Sequence, residues 1–125
     1  MPRDQRACLA DIVDSCDAIK TATRNLDFRA YKENRLVRSS VEREFIIIGD
    51  AMSALSRIAP ETFRALPRAR RIVDFRDQLT REYAIVDDAL VWAIVEKDVS
   101  VLRQESAELI DMLTAADEDD RLPEA

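Results

Sequence analysis

The stretch from Arg64 to Arg81 holds six arginines against two acids, Asp74 and Asp77, a balance of +4 within eighteen residues. Charge alone fits two readings. One is a solvated helix face; the other is a surface for phosphate groups, which the forked and permanently charged guanidinium suits. The run ends Phe75-Arg76-Asp77-Gln78-Leu79-Thr80-Arg81-Glu82-Tyr83. Arg76 can hold a phosphate group through bidentate contact. Asp77 can orient that arginine, polarise an attacking hydroxyl, or salt-bridge a neighbour such as Arg81. Arg81 keeps its proton at neutral pH and is no efficient general base. Tyr83, four residues past Leu79, can cover the helix end with its ring in the core and its hydroxyl outward.

Other chemistries lack their parts. The chain has no histidine, so the usual zinc site, the Ser-His-Asp triad and the Cys-His dyad are each missing a group. Cys8 and Cys16 are eight residues apart on one predicted helix, with Cα atoms about 12 Å apart, too far to bridge. The remaining metal candidate, Asp87-Asp88, falls where a helix N-cap is expected. Neither a metal nor a cofactor is expected.

The elements that must position these groups read as helices throughout. Leu9, Ile12, Val13, Cys16 and Ile19 recur at helical spacing and predict a first amphipathic helix over about 4–23. Residues 25–34 break the period and suggest a connection with a short helical turn after Asp27. Val37, Val41, Phe45, Ile48, Met52, Leu55 and Ile58 then trace one stripe that Pro60 stops. Gly49 lies inside this helix at a cost of about 1 kcal/mol relative to Ala. Either a neighbouring element approaches its backbone closely or the glycine is simply tolerated. Pro67 suits the first turn of a third helix running to about Tyr83, with Ile72, Phe75 and Leu79 on its apolar face. Asp87 or Asp88 caps a fourth, carrying Val91, Trp92, Ile94 and Val95. Near Asp98 or Ser100 a last helix starts, with Leu102, Leu109, Ile110 and Leu113 inward. The pattern predicts an all-α, up-and-down bundle of four main helices plus a short one.

At the scale of the whole chain, 125 residues with one glycine, 47% hydrophobic and 35% charged, fit one helix-rich domain. Of the net charge of −6, residues 117–125 carry −4 through five acids and Arg121. A helical domain over 1–116 followed by an acidic, disordered tail over 117–125 is the expected organisation. The longest apolar run, Phe45 to Gly49, is far short of the roughly 20 residues of a membrane span, and no signal-type segment opens the chain. A cytoplasmic protein with no membrane partner is expected.

The motif and its setting resemble the HepT family of HEPN-domain proteins, whose core motif is Arg, a polar residue, three more residues, His, one residue and Tyr. Arg76, Asp77 and Tyr83 match; Arg81 stands at the histidine position. Val41-Glu42-Arg43 followed by Ile47-Ile48-Gly49-Asp50-Ala51 resembles the family's second-helix signature, with Asp50 where Glu is usual. Asp87 to Asp98 with Val91-Trp92 resembles the segment after the motif. The resemblance spans roughly 7–113.

It implies a metal-independent endoribonuclease toxin of a type VII toxin-antitoxin system, working in a composite cleft between the two protomers of a homodimer. Catalytic roles fall to Arg76, Asp77 and the residue at 81, with Arg68, Arg70 and Arg71 as RNA contacts on tRNA or mRNA. The implied partner is a minimal nucleotidyltransferase antitoxin of the MNT type, which adenylylates the tyrosine matched by Tyr83. With Arg81 in place the chain is expected to bind RNA better than it cuts it. An inactivating change under toxicity, a natural loss in a binding module, and a branch using other groups each account for Arg81. The alternative function is a catalytically silent HEPN subunit that binds RNA or presents substrate to the nucleotidyltransferase.

Overall fold

The computed structural model describes residues 4–81 and 86–121. Within them the chain forms seven helices and no strand: α1 (Gln5–Ala22), α2 (Phe28–Glu33), α3 (Arg35–Ile58), α4 (Pro60–Arg64), α5 (Ala69–Arg81), α6 (Asp88–Lys97) and α7 (Val99–Arg121). The bundle is all-α, as the periodicity predicts.

Short polar side chains start the helices by accepting from orphan backbone N–H groups. Asp4 caps α1, Asp27 caps α2 and Asn34 caps α3. Asp87 accepts from both Ala89 and Leu90 to open α6. The turn after α1 passes through Asn25 at φ 63°, a left-handed conformation that asparagine tolerates better than most residues.

α3 is the central pillar. It packs against α1 and α5, and α7 lies along α1. Leu9, Ile12, Cys16 and Ile19 of α1 meet Val41, Phe45, Ile48, Met52 and Leu55 of α3 in the buried core. Phe45 and Phe75 join α3 to α5 edge to face, with centroids 5.2 Å apart, a favoured aromatic geometry. Tyr31 of α2 stacks obliquely on Trp92 of α6, also at 5.2 Å. Cys8 and Cys16 are both free and buried.

The structure departs from the sequence reading at three places. Pro60 ends α3 and also opens the five-residue α4, because its fixed φ suits a first helical turn. Pro67 belongs to the turn before α5, which begins at Ala69. The expected disordered tail from Asp117 is helical as far as Arg121. Arg6 of α1 meets Asp117 at 2.6 Å, drawing the acidic end of α7 onto the bundle. Among the described residues, no helix is long and apolar enough to cross a membrane.

Candidate active site

Phe75 and Leu79 are buried, so they pull α5 down onto α3 and turn the intervening Arg76 along the α3–α5 seam. There it lies on Gly49: a Cβ built at Gly49 would fall 2.4 Å from Arg76 Cβ and 2.5 Å from its Cγ. Both are stem atoms that cannot swing aside. Only glycine admits this approach, which decides between the two readings of Gly49 in favour of close contact.

The guanidinium that emerges from this wedge is held on several sides. Arg76 Nη2 donates to Ser53 Oγ at 3.0 Å. Its Nη1 meets Asp77 Oδ1 at 3.2 Å, and its Nε faces Asp50 Oδ1 at 3.5 Å. The Nε–H is nevertheless buried without a hydrogen-bond acceptor. Arg76 keeps 23% of its side chain exposed, Asp77 43% and Asp50 64%. A fixed cation therefore sits at the rim of the seam with two more exposed carboxylates outside it.

Asp77 thus pairs with the adjacent Arg76. Arg81 does not pair with the Asp77 carboxylate; its Nε donates to the Asp77 main-chain oxygen at 3.3 Å. Arg81 is exposed. Thr80 also turns back on its own helix, its hydroxyl donating to the main-chain oxygens of Arg76 and Asp77.

A family model described as Ribonuclease HepT-like matches residues 12–109, which contain the whole of this cluster. The chain belongs to the HepT-like ribonuclease family. A relative in Methanocaldococcus jannaschii, named as a candidate RNase, is 31% identical over 103 residues, covering 82% of this chain and 94% of the relative. A second from that organism, named likewise, is 26% identical over 116 residues, covering 93% and 95%. A Thermococcus cleftensis protein named as a probable ribonuclease HepT is 29% identical over 106 residues, covering 82% and 93%. No solved structure matches the chain.

Within this HepT-like frame the other sequence candidates divide. Tyr83 lies outside the described residues. Arg68 is committed to structure: its Nε donates to Asp98 Oδ1 at 3.0 Å and its Nη1 to Glu105 at 3.5 Å. Arg71 reaches the other oxygen of Asp98 at 3.6 Å. Asp98 is almost fully buried, so the two arginines neutralise a carboxylate at the α6–α7 junction. Arg70 is exposed, with no ion pair among the described residues. The structure brings Arg76, Asp77 and Arg81 into one neighbourhood and pairs Arg68 and Arg71 with Asp98.

Sequence reasoning missed Ser53 and the role of Asp50. The available signal is spacing. Gly49 and Ser53 are four apart, hence stacked on one face of α3, and Gly49 is the chain's one glycine.

Proposed function

We propose that this chain is an endoribonuclease of the HEPN type, the toxin of a type VII pair, working in a composite homodimer cleft in the cytoplasm. The observation that carries the reading is the wedging of Arg76 on Gly49, with its guanidinium aimed by Ser53, Asp50 and Asp77. Cleavage needs a ribose 2′-hydroxyl to attack the adjacent phosphorus and the 5′-oxygen to leave with a proton, producing a 2′,3′-cyclic phosphate. A prearranged guanidinium supplies the charge that such a transition state demands without reorganising. Asp77 positions it.

The proton transfers are the defective part. Arg81 occupies the place of the family's histidine, retains its proton and spends its Nε–H on a main-chain oxygen. Loss of an acid-base group removes about 10²- to 10⁴-fold in rate, or roughly 3 to 5.5 kcal/mol of barrier. This favours a second reading for the chain as it stands, a silent subunit that holds RNA or presents substrate to a nucleotidyltransferase.

The deciding experiment compares the parent with Arg81→His on total cellular RNA. The histidine variant should cut in the presence of EDTA and leave cyclic phosphate ends, and Arg76→Ala in that background should abolish the cutting. Equal inertness of parent and variant would replace the toxin reading by the silent subunit.

The proposed partner is an MNT-type nucleotidyltransferase. Tyr83 Oη would attack the α-phosphorus of ATP, forming a phosphodiester and releasing pyrophosphate. Intact-mass spectrometry should then show AMP additions on the parent and none on Tyr83→Phe. Equal additions on both would exclude Tyr83 as the acceptor.

A further inference from the structure

A groove of about 430 Å³ runs between α3 and α5, lined by Arg35, Ser39, Glu42, Arg43, Ile46 and Leu79. The five α3 residues recur at i, i+4, i+7, i+8 and i+11, one continuous helix face. Leu79 supplies the opposite wall, one turn beyond Arg76 on the same helix. Arg76 rests on Gly49, whereas Leu79 rests beside Ile46 and Glu42, so α3 and α5 run antiparallel here. The groove therefore continues the seam that holds Arg76, in the direction of Arg81. Arg43 lies six residues before Gly49, roughly 9 Å along α3, within reach of a nucleotide neighbouring one held at Arg76.

The lining is chemically divided. Arg35 and Arg43 are exposed and form no ion pair among the described residues, in contrast to Arg68, Arg71 and Arg76. Ile46 forms an apolar floor, and the edge of the otherwise buried Leu79 forms the apolar wall beside it. Glu42 is half-buried on the side of Tyr31; burial and the nearby Asp88 push its carboxyl above the usual carboxylate range, with Arg38 opposing. A single inorganic anion would use the arginines and leave the floor and Glu42 idle. A nucleotide uses all three, because it joins a phosphate to a flat base and to hydroxyl or amino donors.

We infer that this groove is a subsite for one ribonucleotide of a single-stranded RNA, adjacent to the phosphate held at Arg76. The phosphate lies between Arg35 and Arg43, the base covers Ile46 and Leu79, and Glu42 accepts from a ribose hydroxyl or a base amino group. Ser39 can donate to the same phosphate. The inference rests on the RNA reading above and adds to it the path of the strand, which follows α3 and leaves out the arginines at the start of α5.

Fluorescence anisotropy of a labelled twelve-nucleotide single-stranded RNA with the full-length parent protein tests this without any cutting. Arg43→Ala and Arg35→Ala should each weaken binding roughly tenfold. Each should also flatten the dependence of log affinity on log salt by about 0.7, the effect of losing one phosphate contact to a single strand. Arg43→Lys should retain the parent's salt slope. Arg24→Ala, an exposed charge outside the groove, should change neither quantity. Unlabelled AMP should displace the RNA at lower concentration than inorganic phosphate does. If AMP binds but Arg43→Ala leaves RNA affinity intact, the groove holds a free nucleotide and the strand path is wrong. If Arg35→Ala and Arg43→Ala match Arg24→Ala, the inference fails while the ribonuclease reading, judged by Arg81→His cleavage, stands. Absence of RNA binding by the parent overturns the subsite in any case.

Discussion

Arg76 and Gly49 fix each other's identity, and two substitutions on α3 separate the forces involved. Gly49→Ala gains about 1 kcal/mol of helix propensity, but its methyl would sit 2.4 Å from Arg76 Cβ. Overpacking of this kind costs about 1–3 kcal/mol, and at this distance from a stem atom the upper part of the range applies. A net loss of about 1–2 kcal/mol is expected, seen as a lower urea midpoint. Asp50→Glu should act in the opposite direction. Its extra methylene can close the 3.5 Å gap to Nε and satisfy a buried donor that now lacks an acceptor, raising stability by about 1 kcal/mol. An unchanged or lower midpoint would show that the gap is set by the helix spacing. A third residue carries a pH signature. Burial, aided by Asp17, pushes the Cys16 thiol up from 9.0 to about 12. Above about pH 9 the unfolded chain releases this proton while the folded one retains it, so stability is full below that pH and declines as pH rises toward 12. Urea midpoints between pH 8 and 11 should fall more steeply for the parent than for Cys16→Ala.

At the scale of elements, the junction of α6 and α7 depends on Asp98, which takes Arg68 from just before α5 and Arg71 from its first turn. Asp98→Ala would strand two guanidinium groups around an emptied, nearly dry site. The expected cost is about 2–3 kcal/mol, below the usual figure for a broken buried pair because both arginines are partly exposed. Arg71→Ala, more exposed, should cost less than about 1 kcal/mol; denaturant titration distinguishes the two. This junction also marks where the sequence stopped being legible. The helices themselves were readable because period and caps are local: Asp27 and Asp87 stand at helix starts as their types suggest. α4 was missed because five residues are too few to display a period. Arg68 and Arg71 read as free charge because the carboxylate they neutralise lies about thirty positions away in sequence, and no local pattern records that pairing. Spacing places Ser53 on the face of Gly49, but its partner Arg76 was not legible, for the same reason. Its meaning depends on the register between α3 and α5, which is set by how Phe45 meets Phe75.

For the whole molecule, the proposed mechanism needs two chains. Light scattering at micromolar concentration should give about twice the 14.3 kDa of one chain. A monomer would remove the composite cleft, though not the groove beside Arg43. The charge distribution sets a further expectation. Arg6 ties Asp117 to the bundle, so the acidic end of α7 is held against α1. Arg6→Ala should leave the core intact, with a stability change under about 1 kcal/mol because the pair is exposed, while making the last turns of α7 exchange their amide hydrogens faster. Protection equal to the parent's there would mean that helix propagation alone holds that end.

The fold holds the two ends of the motif with very different firmness. Position 76 is locked into the packing of two helices, whereas position 81 is exposed and, among the described residues, hydrogen-bonds within its own helix. Exchange at 81 should therefore be nearly neutral for folding, within about 0.5 kcal/mol, and Arg81→His should melt with the parent. A single nucleotide change interconverts arginine and histidine codons. Under the proposed mechanism, a lineage carrying this architecture can silence its chemistry and recover it later in one step, with the helix packing that seats Arg76 left in place.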